Sequence, residues 1–396
     1  HHEDTSTQMV ALNVVYDVGA RDEHPEHTGF AHLFEHLMFG GSAHIPDYDT
    51  PLQLAGGENN AWTNNDITNY YLTVPKPNVE TAFWLESDRM LELAFSEQSL
   101  EVQRGVVMEE FKQRCLNQPY GDVGHLFRPL AFRVHPYRWP TIGKELSHIE
   151  QATLDEVKSF FYRFYAPNNA VLAVTGNISW DETVKLTEKW FAPIPRRNVP
   201  VRQLPQEPEQ TQERRLTVER NVPLDALFMG YHMCSREGAD YYAFDILSDI
   251  LSNGRSSRLN RRLVQEQNIF SGIDAYISGT RDAGLLQISG KPAAGVSLEQ
   301  AEAAVRKELE ELQRSPVDGQ ELEKVKNKFE STQIFGNINY LNVATNLAWF
   351  ELTGKAEDID LEVERYRSVT TEQLHTVAQR TFCESNAVVL YYKSDK

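Results

Sequence analysis

His32, Glu35 and His36 stand in the order H-x-x-E-H, and residues of these types at this spacing can do metal chemistry. If residues 28–39 form a helix capped at Thr28 and stopped by Gly40-Gly41, the two imidazoles lie four apart on one face. Two imidazoles so placed can share one zinc ion, and Glu35 beside them can carry a proton. An amphipathic helix holding two histidines by chance would show the same pattern only rarely at this composition.

Catalytic zinc usually takes three protein groups and one water, so a third ligand is expected. The segment Glu101–Phe111 supplies candidates. Val102, Val106 and Val107 fall near one face at helical spacing, with acidic residues alongside. Glu109 and Glu110 both qualify. In a chain with 57 acidic against 39 basic residues, adjacent glutamates are more often a solvated face.

At this point the chain resembles the pitrilysin/insulinase family of zinc metallopeptidases, in the branch of smaller subunits related to mitochondrial processing peptidase. The resemblance rests on Gly29-Phe-Ala-His32-Leu-Phe-Glu35-His36-Leu-Met-Phe-Gly-Gly-Ser42, Gly56-Gly-Glu-Asn-Asn60-Ala-Trp62, and Arg104-Gly-Val-Val-Met-Glu-Glu110. It continues through His135-Pro-Tyr137, Tyr165-Ala-Pro-Asn-Asn169 and Val174-Thr-Gly176, covering essentially the whole chain. The family pattern implies that His32, His36 and Glu110 bind one zinc ion per chain and that Glu35 is the general base of a peptide-bond hydrolase. Where the family often carries a glutamate seven residues before the third ligand, this chain has Gln103. An amide oxygen can accept from an imidazole N–H without adding charge, so somewhat weaker zinc binding is expected.

The segment from Gly56-Gly57 into Asn60–Val74 reads as a loop entering a long strand rich in β-branched and aromatic residues. In the family such a strand docks an extended peptide main chain to main chain. The resemblance places Asn60 and Ala61 nearest the scissile bond, with Phe39 and Trp62 as the aromatic wall of the adjoining pocket. Ordinary core packing is the competing explanation for both aromatics.

These parts need elements to hold them. At 396 residues the chain is too long for one compact core, which implies two domains. Residues 192–215, rich in Pro, Arg, Gln and Glu, form a linker without periodicity. The order of elements repeats around it. Met9–Val18 is a predicted strand followed by the H-x-x-E-H helix; Ala226–Cys234 is a strand followed by a helix over Ala239–Leu251. The second copy has no metal motif. The expected fold is α+β: two similar domains, residues 1–191 and 216–396, each an antiparallel-rich sheet backed by helices.

Active family members usually place an Arg and, seven residues later, a Tyr after a turn like Ser256-Ser257-Arg258-Leu259. Here Val264 and Ser271 occupy those positions. The implication is a zinc-bearing subunit working with a homologous partner that lacks the metal motif and supplies the pair. A homodimer using other residues is the alternative, and a non-catalytic subunit is another. A metal-dependent hydrolase of small amides is disfavoured by the docking strand. The family encloses its substrates in a chamber, which implies short or unfolded peptides.

Composition excludes other classes. A net charge of −18 repels phosphates and argues against nucleic acid. The basic run Arg255–Arg262 lacks interleaved aromatics, so it reads as a loop and helix start. No run of eighteen apolar residues is present, so no membrane-spanning helix is expected. Cys115, Cys234 and Cys383 have no metal-type spacing. Asn177-Ile-Ser179 is a formal sequon, read as a chance match. Almost all of the family's first strand is missing before Asp4, so a preceding segment is expected to have been removed. A bacterial cytoplasm or periplasm is the expected setting, with the choice between them open.

Overall fold

A computed structural model of the chain describes residues 1–395, whose ten strands form two five-stranded sheets. The first contains β1 (His2–Glu3), β2 (Met9–Tyr16), β3 (Glu58–Thr63), β4 (Thr68–Pro75) and β5 (Ala170–Gly176), in the order β1-β5-β2-β4-β3. Only β1 and β5 run parallel; the other pairings are antiparallel. The second contains β6 (Arg214–Arg220), β7 (Ala226–His232), β8 (Phe270–Ile277), β9 (Leu285–Pro292) and β10 (Ala387–Ser394). Its order, β6-β10-β7-β9-β8, repeats the first strand for strand, again with one parallel pair. The chain is therefore an α+β protein of two similar, antiparallel-rich sheets with helices packed on them.

Strand β2 shows why the sequence builds a layered fold. From Val10 to Tyr16 every residue is buried, including Asn13, which means that both faces of the sheet are covered. On one face lies the main core, with Val10, Leu12, Val14 and Tyr16 against Leu33, Phe34, Phe83 and Phe161. On the other, Ala11 and Val15 pack with Ala173 and Ile67 beneath Ala344 and Ala348 of the helix Tyr340–Thr353. Thr175 Oγ1 donates to Tyr340 O at 2.6 Å, pinning the start of that helix.

This cover comes from far along the chain. One compact unit comprises His1–Gln118, His135–Gln206 and Ile334–Asp360. The other comprises Pro119–Val134, Glu207–Gln333 and the chain from Leu361 onward. In the second unit the helix Val123–Ala131 lies on β6, β7 and β10, the counterpart of Tyr340–Thr353 in the first. Gly230 makes room for it: a Cβ there would sit 2.8 Å from Phe127 Cζ. A bare apolar sheet face must be covered by something, and each unit takes a helix from the other stretch of sequence. A single cut at 192–215 describes the connection, since no helix or strand lies between Trp190 and Arg214, but it does not place these two helices.

Two local expectations change. The segment after Asn60 is a hairpin, not one long strand. Asn64 Oδ1 accepts from the N–H groups of Asp66 and Ile67 at 2.7 and 2.9 Å, and this turn reverses the chain between β3 and β4. The helix Glu97–Phe111 buries Leu100, Val107 and Phe111, while Val102 and Val106 are exposed. The sequon is occupied by structure: Asn177 Nδ2 donates to Thr7 O, and Ser179 caps the next helix. Among the described residues no helix is long and apolar enough to cross a membrane, and Cys234 and Cys383 carry free thiols.

Candidate metal centre

The H-x-x-E-H helix spans Phe30–Leu37 and buries Phe30, Ala31, Leu33, Phe34 and Leu37, which drives His36 and Glu35 toward the half-exposed side. Its start differs from the expected Thr28 cap. Gly29 is the N-cap, at φ 87°, where a Cβ would meet Ile149 Cδ1 at 2.7 Å. Thr28 instead receives the Lys144 N–H at 2.7 Å and contacts His148 Nδ1 at 2.8 Å. The orphan N–H groups of the first turn go to Glu23, a buried carboxylate six residues upstream. Its two oxygens accept from Gly29 and Ala31, each at 2.9 Å. Glu23→Gln removes one of these acceptors and places an NH₂ against a backbone donor. It should lower stability by about 1–3 kcal/mol, read as a shift in the urea midpoint at unchanged slope.

Glu110 comes to this helix from Glu97–Phe111, which is capped by Ser96 and packs along it. Glu110 Oε2 lies 3.5 Å from His32 Nε2 and 3.3 Å from His36 Nε2, and the donor atoms of all three lie within 4.8 Å of one another. Among the described residues, no other trio of His, Cys, Asp and Glu converges this closely. Tetrahedral zinc with ligand bonds of 2.0–2.1 Å requires ligand atoms roughly 3.3 Å apart. The trio fits. Glu109, by contrast, faces solvent and pairs with Lys112 at 3.7 Å.

Protonation suits the same purpose. Burial pushes the His32 imidazole down to about 4, so it is neutral near pH 7. The contact with His36 holds Glu110 below the usual carboxylate range. Burial pushes Glu35 above its ordinary range, which makes it a stronger base than a solvated glutamate.

The remaining sequence candidates divide. Asn60 is exposed on β3, the edge strand, with Oδ1 accepting its neighbour's N–H at 2.8 Å. Ala61 pairs with Tyr70 in register and packs against the main core, as does Phe39. Phe39 rests on Arg89, whose guanidinium carbon is 5.2 Å from the ring centroid, and edge-on to Tyr48. Trp62 is not beside it. The strand period of two sends Trp62 to the opposite face, under the helix Tyr340–Thr353. The structure therefore does not bring Phe39 and Trp62 into one wall. Gln103 also differs from expectation: no hydrogen bond joins it to either imidazole, and the buried His32 Nδ1 has no partner.

In the second unit, Val264 is packed partly buried against the core, and Ser271 on β8 donates to Lys291 O. The basic run around them is engaged in ion pairs. Arg258 meets Glu321 at 2.7 Å, and Arg262 meets Glu308 and Glu311. Sequence reading missed Glu23 and Arg89. Nothing in the local pattern sets Glu23 apart from other acids. The helical spacing of Glu86 and Arg89 was the available signal for the buried pair they form.

Comparison with known proteins shows the family. Residues 1–122 match the family model described as Insulinase (Peptidase family M16), and residues 151–329 match that described as Peptidase M16 inactive domain. The zinc protease PqqE of Helicobacter pylori is 26% identical, over 98% of this chain and 89% of that protein. A crystal structure of a protease from Helicobacter pylori superposes with a TM-score of 0.91 at 26% identity, covering 98% of this chain and 95% of that one. The periplasmic protease PqqL from Escherichia coli shares the fold, with a TM-score of 0.80 at 18% identity. That match covers 99% of this chain but 46% of PqqL. With both halves matched and relatives named as zinc proteases, the chain belongs to the insulinase family of peptidases, family M16.

Proposed function

We propose that this chain is the zinc-bearing subunit of an endopeptidase that hydrolyses short or unfolded peptides. The observation that carries the reading is the convergence of Glu110 Oε2 on the Nε2 atoms of His32 and His36. These three residues would hold the ion, which when bound would supply Lewis acidity to acidify a water and polarise a peptide carbonyl. Glu35, half-buried one residue from His36, takes the proton released in the attack and returns it to the departing amine. The outer edge of β3 is unpaired and adds an extended peptide as a further strand at Asn60 and Ala61. Only an extended main chain can pair in this way, so folded proteins are poor substrates. Phe39 offers an aromatic surface for the adjoining side chain; the position of Trp62 makes it a support for β3.

A homologous partner without the metal motif supplies the Arg and Tyr missing at Val264 and Ser271. Cleavage of a mixed library of unfolded peptides, by the zinc-loaded chain alone and with such a homologue, tests this. Activity only in the mixture supports a split site; full activity alone overturns partner dependence. A second reading, a non-catalytic or weakly active subunit, draws on the inactive-domain match over residues 151–329. Absence of cleavage in both samples would favour it.

A further inference from the structure

The helix that carries Glu110 does not close regularly beyond it. It widens into a π-helical turn, Lys112–Leu116, starting two residues after Glu110. Such turns gather at functional positions because they re-aim the side chains they contain. Arg114 is the residue this turn presents to the trio. Its Nη2 lies 2.9 Å from Glu110 Oε1, while the other oxygen of Glu110 faces both imidazoles. The side chain is 67% exposed, and among the described residues it has no second acceptor. Lys112, the other cation of the turn, is already set against Glu109.

A guanidinium carries five N–H donors in a planar fork suited to carboxylates, and Glu110 uses only part of it. With a divalent ion held by the trio, the charge of Glu110 would be shared with that ion and Arg114 would be left without a dedicated counter-charge. We propose that Arg114 is a specificity residue that favours peptides with an Asp or Glu side chain next to the scissile bond; this rests on the peptidase reading above. The chain's net charge of −18 points the other way, toward basic peptides. That charge is spread over the whole molecule and screened beyond about 10 Å, whereas Arg114 stands in direct contact with the trio. Arg114 is itself mostly exposed and its i,i+4 pairing contributes little to stability, so its replacement leaves a folded protein to measure.

The test uses two matched unfolded peptides that differ only in Glu versus Gln beside the cleaved bond. Cleavage is measured with the zinc-loaded chain plus its homologue. Peptide binding is measured separately, by fluorescence anisotropy, with the Glu35→Gln chain in the same assembly. The Glu peptide should be cleaved with roughly 3- to 10-fold higher kcat/KM and bound tighter by a similar factor. Arg114→Gln should bring both ratios close to one. Equal handling of the two peptides by the unaltered chain, or a preference that survives Arg114→Gln, overturns the assignment. Absence of cleavage in every mixture defeats the peptidase reading, and the binding ratio then still decides the role of Arg114.

Discussion

Glu35→Gln should lower turnover of an unfolded peptide on the order of 10³-fold while zinc content stays at that of the unaltered chain. The size follows from the proposed role of Glu35 as a general base that moves a proton in both halves of the reaction. Glutamine keeps the volume of the side chain, so the packing of the helix Phe30–Leu37 is undisturbed, but its amide cannot take up a proton at neutral pH. Glu35 is outside the converging trio, so the ion has no reason to leave. Two readouts on one sample check this: metal per chain after dialysis, and the initial rate of cleavage. A variant that keeps both zinc and substantial turnover would remove Glu35 from the chemistry.

Glu110→Ala should lower zinc affinity by more than about 100-fold, and Glu109→Ala should leave it unchanged. Loss of a group that merely orients a ligand costs 10- to 100-fold, so loss of a ligand must exceed that. The two residues are adjacent in sequence, but their side chains go to different partners. Glu110 reaches both imidazoles with one oxygen, whereas Glu109 is solvated and paired with Lys112. Competition against a chelator of known affinity measures both variants side by side. Equal losses in the two would mean that the convergence of Glu110 does not reflect ligation.

The predicted loss in Glu23→Gln concerns a different link of the same chain of causes. Glu23 holds the first turn of the H-x-x-E-H helix, and the trio depends on where that helix points. The effect should appear first in stability, with zinc affinity following only as far as the helix moves.

The sequence alone determined the chemistry on offer. A spacing of four puts His32 and His36 on one helix face whatever surrounds them, because the period of 3.6 is a property of the backbone. The repeated order of elements on either side of residues 192–215 likewise announced two similar sheets, since alternation and helical periodicity are local signals. Tertiary structure decided what local signals do not encode. Periodicity left Glu109 and Glu110 equal; packing of Glu97–Phe111 along Phe30–Leu37 turns one of them to the imidazoles. Thr28 looked like a cap, but a carboxylate from an upstream loop took the orphan N–H groups, and loop paths are set by long-range contacts. Trp62 looked like a neighbour of Phe39 until sheet register sent it to the other face. The two exchanged helices were beyond local reading for the same reason. An apolar stripe on Tyr340–Thr353 says that it will be buried, and only the three-dimensional arrangement of bare sheet faces says against what.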